Sequence, residues 1–146
     1  MAAAGALKLR AEDAEDVSVI SAVLQDALVT VSEMAWLPEE RRFVLVANRF
    51  RWEPTDGAPR RDFERTLSGL RLDGVTGVQR RGFSPRETER ILVLLAIRAE
   101  EGALMFEFAG GAAIRVEVEH ILCHLDDLGE PWPTRWRPRH PIAEGG

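Results

Sequence analysis

The stretch from Ala103 to Glu119, ALMFEFAGGAAIRVEVE, constrains the fold more than any other. Leu104, Phe106 and Phe108 alternate with Met105 and Glu107. Ile114, Val116 and Val118 alternate with Arg115, Glu117 and Glu119. Successive side chains on a strand point to opposite faces, so each half offers one apolar face and one polar face. Ala-Gly-Gly stands between them, and glycine reaches the positive φ angles that tight turns need. The segment reads as a β-hairpin with one face on a core and a charged face in water.

Other strands follow from the same rule. Leu7 to Arg10 is a short opening strand, and Asp13 caps a helix that carries Val17, Ile20, Leu24, Ala27 and Leu28 on one face and ends near Leu28. Val29–Leu37 and Phe43–Trp52 are rich in β-formers and flank the polar PEERR, so they are expected to pair antiparallel. Glu53 to Asp62 is a loop. Residues 63–82 read as strands broken by Gly69, Gly74 and Gly77. Ser84-Pro85-Arg86-Glu87 has the capping chemistry of a helix start and predicts a turn or two of helix. Ile91–Ala99 reads as a strand buried on both faces. A single helix from Pro85 to Glu100 is the competing reading, and the Glu-Glu-Gly that leads into the hairpin favours the strand.

Glu119 to Gly129, EHILCHLDDLG, reads as a final helix stopped by Gly129 and Pro131. The expected class is therefore α+β. It would be a mostly antiparallel curved sheet or small barrel, pleckstrin-homology-like in one version, with a helix in the N-terminal half and a C-terminal helix. Residues 1–130 form one domain, and 131–146, with four prolines, form a Pro/Trp/Arg-rich tail.

Composition bounds the function. The chain has 146 residues, 45% hydrophobic and 29% charged, which suits one globular domain with its own core. A single cysteine, Cys123, excludes an internal disulfide and fits a reducing compartment. No apolar run is long enough to cross a bilayer, and the acidic start is unlike a secretory signal, so a cytoplasmic protein is expected. Eighteen of the nineteen basic residues are Arg, a bias that a GC-rich genome explains. Charge is uneven: residues 1–40 hold two basic and eight acidic groups, 41–100 thirteen and eight, and 101–146 four and eight. The net charge of −5 disfavours general nucleic-acid binding but leaves room for a local basic patch.

Three groups carry the candidate chemistry. His120, His124 and Asp127 fall at i, i+4 and i+7 of the expected last helix, the donor types of a zinc or iron(II) site, but an amphipathic helix with two boundary histidines is the favoured reading and no metal is expected. Arg60 and Arg61 near one loop, and Arg80, Arg81 and Arg86 near another, would form an anion-binding patch if the loops meet. Trp132, Arg135, Trp136 and Arg137 in the tail have the composition of interface hot spots; the tail docks on its own domain or into a partner. Neither a phosphate loop nor a G-x-S-x-G elbow occurs, and no catalytic set or cofactor is expected. The favoured reading is a small non-catalytic protein-interaction module, or one that self-associates, using an exposed sheet edge or the tail. The alternative is an anion or nucleic-acid binder, and a metal-dependent enzyme is the third.

Three elements carry a family resemblance: the AEDAED…LQDA opening, RRF…NRFRWE, and FAGG.AIR…VE before L.DLG. Through them, residues 7–132 resemble an alphaproteobacterial family of unknown function, domain-of-unknown-function family 2948. The resemblance implies a bacterial cytosolic protein and carries no mechanism.

Overall fold

The computed structural model describes residues 7–51 and 64–128, together with the backbone of 132–133. The strands are β1 (Lys8–Ala11), β2 (Leu28–Thr30), β3 (Met34–Leu37), β4 (Arg42–Phe50), β5 (Glu64–Asp73), β6 (Val75–Arg81), β7 (Ile91–Glu100), β8 (Ala103–Phe108), β9 (Ala113–Val118), β10 (Cys123–Asp127) and β11 (Trp132–Pro133). The one α-helix among the described residues is α1 (Ala14–Val23). The sheet runs β1-β10-β5-β4-β2-β7-β8-β9-β6, with β3 added to β4 and β11 to β5. Every pairing is antiparallel.

The expected hairpin forms, with Leu104 opposite Val116 and Phe106 opposite Ile114. The Gly110 and Gly111 turn takes φ of 82° and 90°. Its buried face meets the β4 side of the sheet, where Phe43 and Phe106 pack edge to face with centroids 6.2 Å apart. The core lies between these two halves. Short 3-10 turns at Val31–Glu33 and Pro38–Glu40 break the β2–β4 region, which otherwise pairs as its composition predicts, Met34 opposite Leu45 and Leu37 opposite Arg42. β7 is a strand, as the flanking hairpin requires, but it is not buried on both faces. A bulge between Leu94 and Ala96 leaves Leu95 47% exposed, and Ile91 is 53% exposed.

Helix α1 begins where its cap is placed: the Asp13 carboxylate accepts from Asp16 N–H at 2.8 Å. It ends earlier than expected, at Leu24. Asp26 takes a φ of 67°, and its N–H donates to Leu94 O at 2.8 Å, which turns the chain into β2. The helix covers the edge of β7, where Ile97 N–H donates to Ser21 Oγ at 2.9 Å. Ser84-Pro85-Arg86-Glu87 forms its capping bonds without a helix. Ser84 N–H donates to Glu87 Oε1 (2.9 Å) and Arg86 N–H to Ser84 Oγ (3.1 Å), within a tight turn.

Two larger expectations fail as well. The α+β class with two helices is wrong: the fold is a mostly antiparallel sheet with one helix, and the sheet does not close, since β1 and β6 remain edges. The expected C-terminal helix is strand β10, held between β1 and β5. Cys123, Leu125 and Asp127 point inward, and His124 and Asp126 outward. The alternation is hidden in the sequence because one of the inward residues is an aspartate. What makes that tolerable is Arg49 on β4, one strand beyond β5, described below.

Candidate functional site

Strand β10 separates the candidate metal ligands. The His124 ring lies on the outer face, where Arg71 Nη2 donates to its Nδ1 at 3.1 Å. Asp127 lies on the inner face, its side chain 5% exposed and paired to Arg49. His120 precedes the strand and stands over Gly74. A helix would have aligned the three; the strand does not, and no group of three or more metal-ligating side chains occurs among the described residues. Burial, with Asp73 adding to it, pushes the Cys123 thiol up to about 12, so it stays protonated at neutral pH.

Arg60 and Arg61 lie outside the described residues. Arg80 and Arg81 end the edge strand β6, and Arg86 sits on the turn that follows; all three are exposed. In the tail, the backbone of Trp132 and Pro133 pairs with Arg65 and Glu64 of β5, while Arg135, Trp136 and Arg137 lie outside the described residues.

Among the described residues, strand β6 pairs on one side only, with β9. In β9, Val118 N–H donates to Gly102 O on the β8 side and Glu119 N–H to Gly74 O on the β6 side. Antiparallel ladders alternate, so Glu117, Arg115 and Ala113 serve Gly77, Gln79 and Arg81. The backbone groups of Val78 and Arg80 therefore face the open edge. Both ends of that opening are occupied: Val75 N–H donates to Arg41 O at 2.9 Å, and Gly82 O accepts from Arg90 Nη1 at 3.1 Å. Gly82 has a φ of +85°, and a Cβ there would stand 2.8 Å from Ala112 Cα, so only glycine fits. The turn beyond is braced by Glu87, whose carboxyl is held below the usual range by the Ser84 N–H and then by Arg90.

Charge marks this edge out. Arg10, Arg41, Arg42 and Arg71 all reach a carboxylate, as do Arg90, Arg98 and Arg115. Arg80, Arg81 and Arg86 make no ion pair among the described residues. The acid nearest in charge to Arg81 is Glu107, and it is bound to Arg98 at 2.6 Å and held below the usual carboxylate range mainly by that bond.

One cluster was missed by sequence reasoning. Arg49, fully buried, donates from Nε to Ser68 Oγ (3.0 Å) and to Asp127 Oδ1 (3.1 Å), and from Nη2 to Asp127 Oδ2 (2.9 Å). Ser68 Oγ donates to Asp127 at 2.6 Å, and Leu7 N–H donates to it at 2.8 Å. Here the inner rows of β4, β5 and β10 turn from apolar to polar: Leu45, Leu70 and Leu125 give way to Ala47, Ser68 and Asp127, with Arg49 next on β4. Strict alternation along β4, with Phe43, Leu45 and Ala47 inward, was the available signal that Arg49 also points in. The cluster ties β10 to β5, to β4 and to the residue that precedes β1, and it holds its charges out of water, which is a structural role.

Residues 7–140 match the family described as protein of unknown function, DUF2948. The chain belongs to that family. No curated protein matches it, and no solved structure does. For this DUF2948 chain the functional reading therefore rests on its own residues. No helix among those described is long and apolar enough to cross a membrane.

Proposed function

We propose that this chain is a small non-catalytic module of the bacterial cytosol that binds a protein partner along the open edge of β6. The observation that carries the reading is a coincidence. The strand with one unpaired edge also bears Arg80 and Arg81, which make no ion pair among the described residues; Glu107, the acid that feels the charge of Arg81, is bound to Arg98. Sheet edges take up extended segments of other chains through main-chain hydrogen bonds. An edge left open within a folded domain is normally blunted; here its two ends are occupied, and a bulge, Arg80 and Arg81 guard it against strands that bring no acid.

The test is capture from a lysate of the source organism, followed by mass spectrometry. The baits are the full chain, the Arg80→Pro chain, and a chain with Arg135→Glu, Trp136→Ala and Arg137→Glu. Proline at residue 80 deletes an N–H that the β9 ladder does not use, so the fold should survive. The expected result is a partner that Arg80→Pro loses and the tail variant keeps. A partner kept by Arg80→Pro and lost by the tail variant would move the site to the tail and end the edge reading.

A further inference from the structure

We infer that the segment taken up by β6 is an extended acidic stretch with two adjacent carboxylates, one for each face of the strand. This rests on the edge reading above. Arg80 stands opposite Ile114, in the inner row that continues through Phe106 and Ile97; Arg81 stands opposite Ala113, in the outer row that continues through Glu107. Neighbouring strands keep cross-strand partners on the same face. A residue placed beside Arg80 therefore shares its inner face, and the next residue shares the outer face of Arg81. Satisfying both guanidinium groups calls for consecutive acids, where acids two apart would supply only one face.

Charge also selects the class of occupant. A second copy of β6 would bring arginines against arginines, and like charges directly opposite are destabilising. The tail carries Arg135, Arg137 and Arg139, so it is repelled as well. A nucleic acid would want bases stacked on aromatic rings. Phe83, the aromatic nearest in sequence, packs against the core. An acidic protein strand meets both the unpaired backbone of Val78 and Arg80 and the two unpaired charges.

Fluorescence anisotropy with the full chain tests this. The probes are Thr-Val-Thr-Glu-Glu-Thr-Val-Thr, an isomer with its glutamates two apart, an N-methylated form of the first, and a single-stranded DNA oligomer. The adjacent-acid peptide is expected to bind several-fold tighter than its isomer, and N-methylation to abolish binding. Arg80→Gln and Arg81→Gln, both at exposed positions, should each weaken it roughly two- to fivefold and together about tenfold. Equal affinity for both isomers, lost in Arg80→Pro, would discard the adjacent-acid rule and leave the edge reading standing. Binding unchanged in the double Gln variant, tighter binding of the DNA, or no peptide binding at millimolar concentration would each overturn the inference. The capture experiment judges the edge reading independently.

Discussion

Replacing Asp127 with alanine should remove a large part of the stability of the fold. Asp127 accepts four hydrogen bonds, two from Arg49, one from Ser68 and one from the Leu7 N–H. It faces a guanidinium with no exposure to water. Truncation would take a carboxylate and two hydrogen bonds from that buried cation, with Ser68 Oγ and Phe50 O among its remaining acceptors. Breaking a buried pair from one side costs about 3–5 kcal/mol, because the remaining charge keeps its desolvation penalty. A domain of this size has roughly 5–15 kcal/mol in total. With a urea slope of about 2 kcal/mol/M, the unfolding midpoint should fall by about 2 M. The pair should also shape the acid limb of stability. Burial raises the Asp127 pKa, but the bonds from Arg49, Ser68 and Leu7 outweigh it and leave the folded value below the ordinary 3.8. A depressed carboxyl contributes stability that is present above its unfolded pKa and lost as pH falls through the folded one. The gap between wild type and Asp127→Asn should thus be full at neutral pH and close below pH 3.8. Urea titrations at several pH values measure both effects. A loss below about 1 kcal/mol at pH 7, where a buried pair should cost several times more, would show that Arg49 finds water or another acceptor. The claim that this pair holds the sheet would then fail.

Two further outcomes follow from geometry. Cys123, buried and with its pKa pushed up to about 12, should resist a thiol reagent in the native protein at pH 8 and react once urea unfolds it; rapid native labelling would contradict its placement on the inner face of β10. Gly82→Ala should cost more than about 1 kcal/mol in thermal or urea unfolding, since it adds strain at positive φ to a clash with Ala112 and Gly111; an unchanged midpoint would contradict the close approach between β6 and the hairpin turn.

The hairpin at 103–118 was legible because period two is a local property that needs only a few residues to declare itself. The β10 segment was not. Ile121, Leu122, Leu125 and Leu128 mimic a helical stripe, yet Leu128 is exposed, while the inward set includes Asp127. Only knowledge that Arg49 stands across β5 turns that aspartate from a surface residue into an interior one. A buried ion pair conceals two strand faces at once, because each partner reads as solvated until the other is placed. The Ser84 turn shows the converse: its capping bonds form as expected, but nothing beyond Glu87 extends them, since Val31 N–H bonds to Arg90 O and Ser32 N–H to Thr88 O and tie the segment to the β2 region.

Arg80, Arg81 and Arg86 could be named from sequence as basic, but so could every other arginine. What distinguishes them is strand order. Arg98 and Arg115 lie on interior strands, where a glutamate two residues away or one strand over neutralises them. Arg81 shares a row with Glu107 but stands beyond Ala113, at the margin, after Arg98 has claimed that carboxylate. An edge residue has neighbours on one side only, so its chance of internal neutralisation is halved by topology alone. Leaving two such charges beside the backbone of Val78 and Arg80 costs the folded chain little while water covers them. On the edge reading proposed above, the same two charges would set the register of an acidic strand and discourage a second copy from pairing there, so that one pair of arginines would admit one class of partner and refuse another.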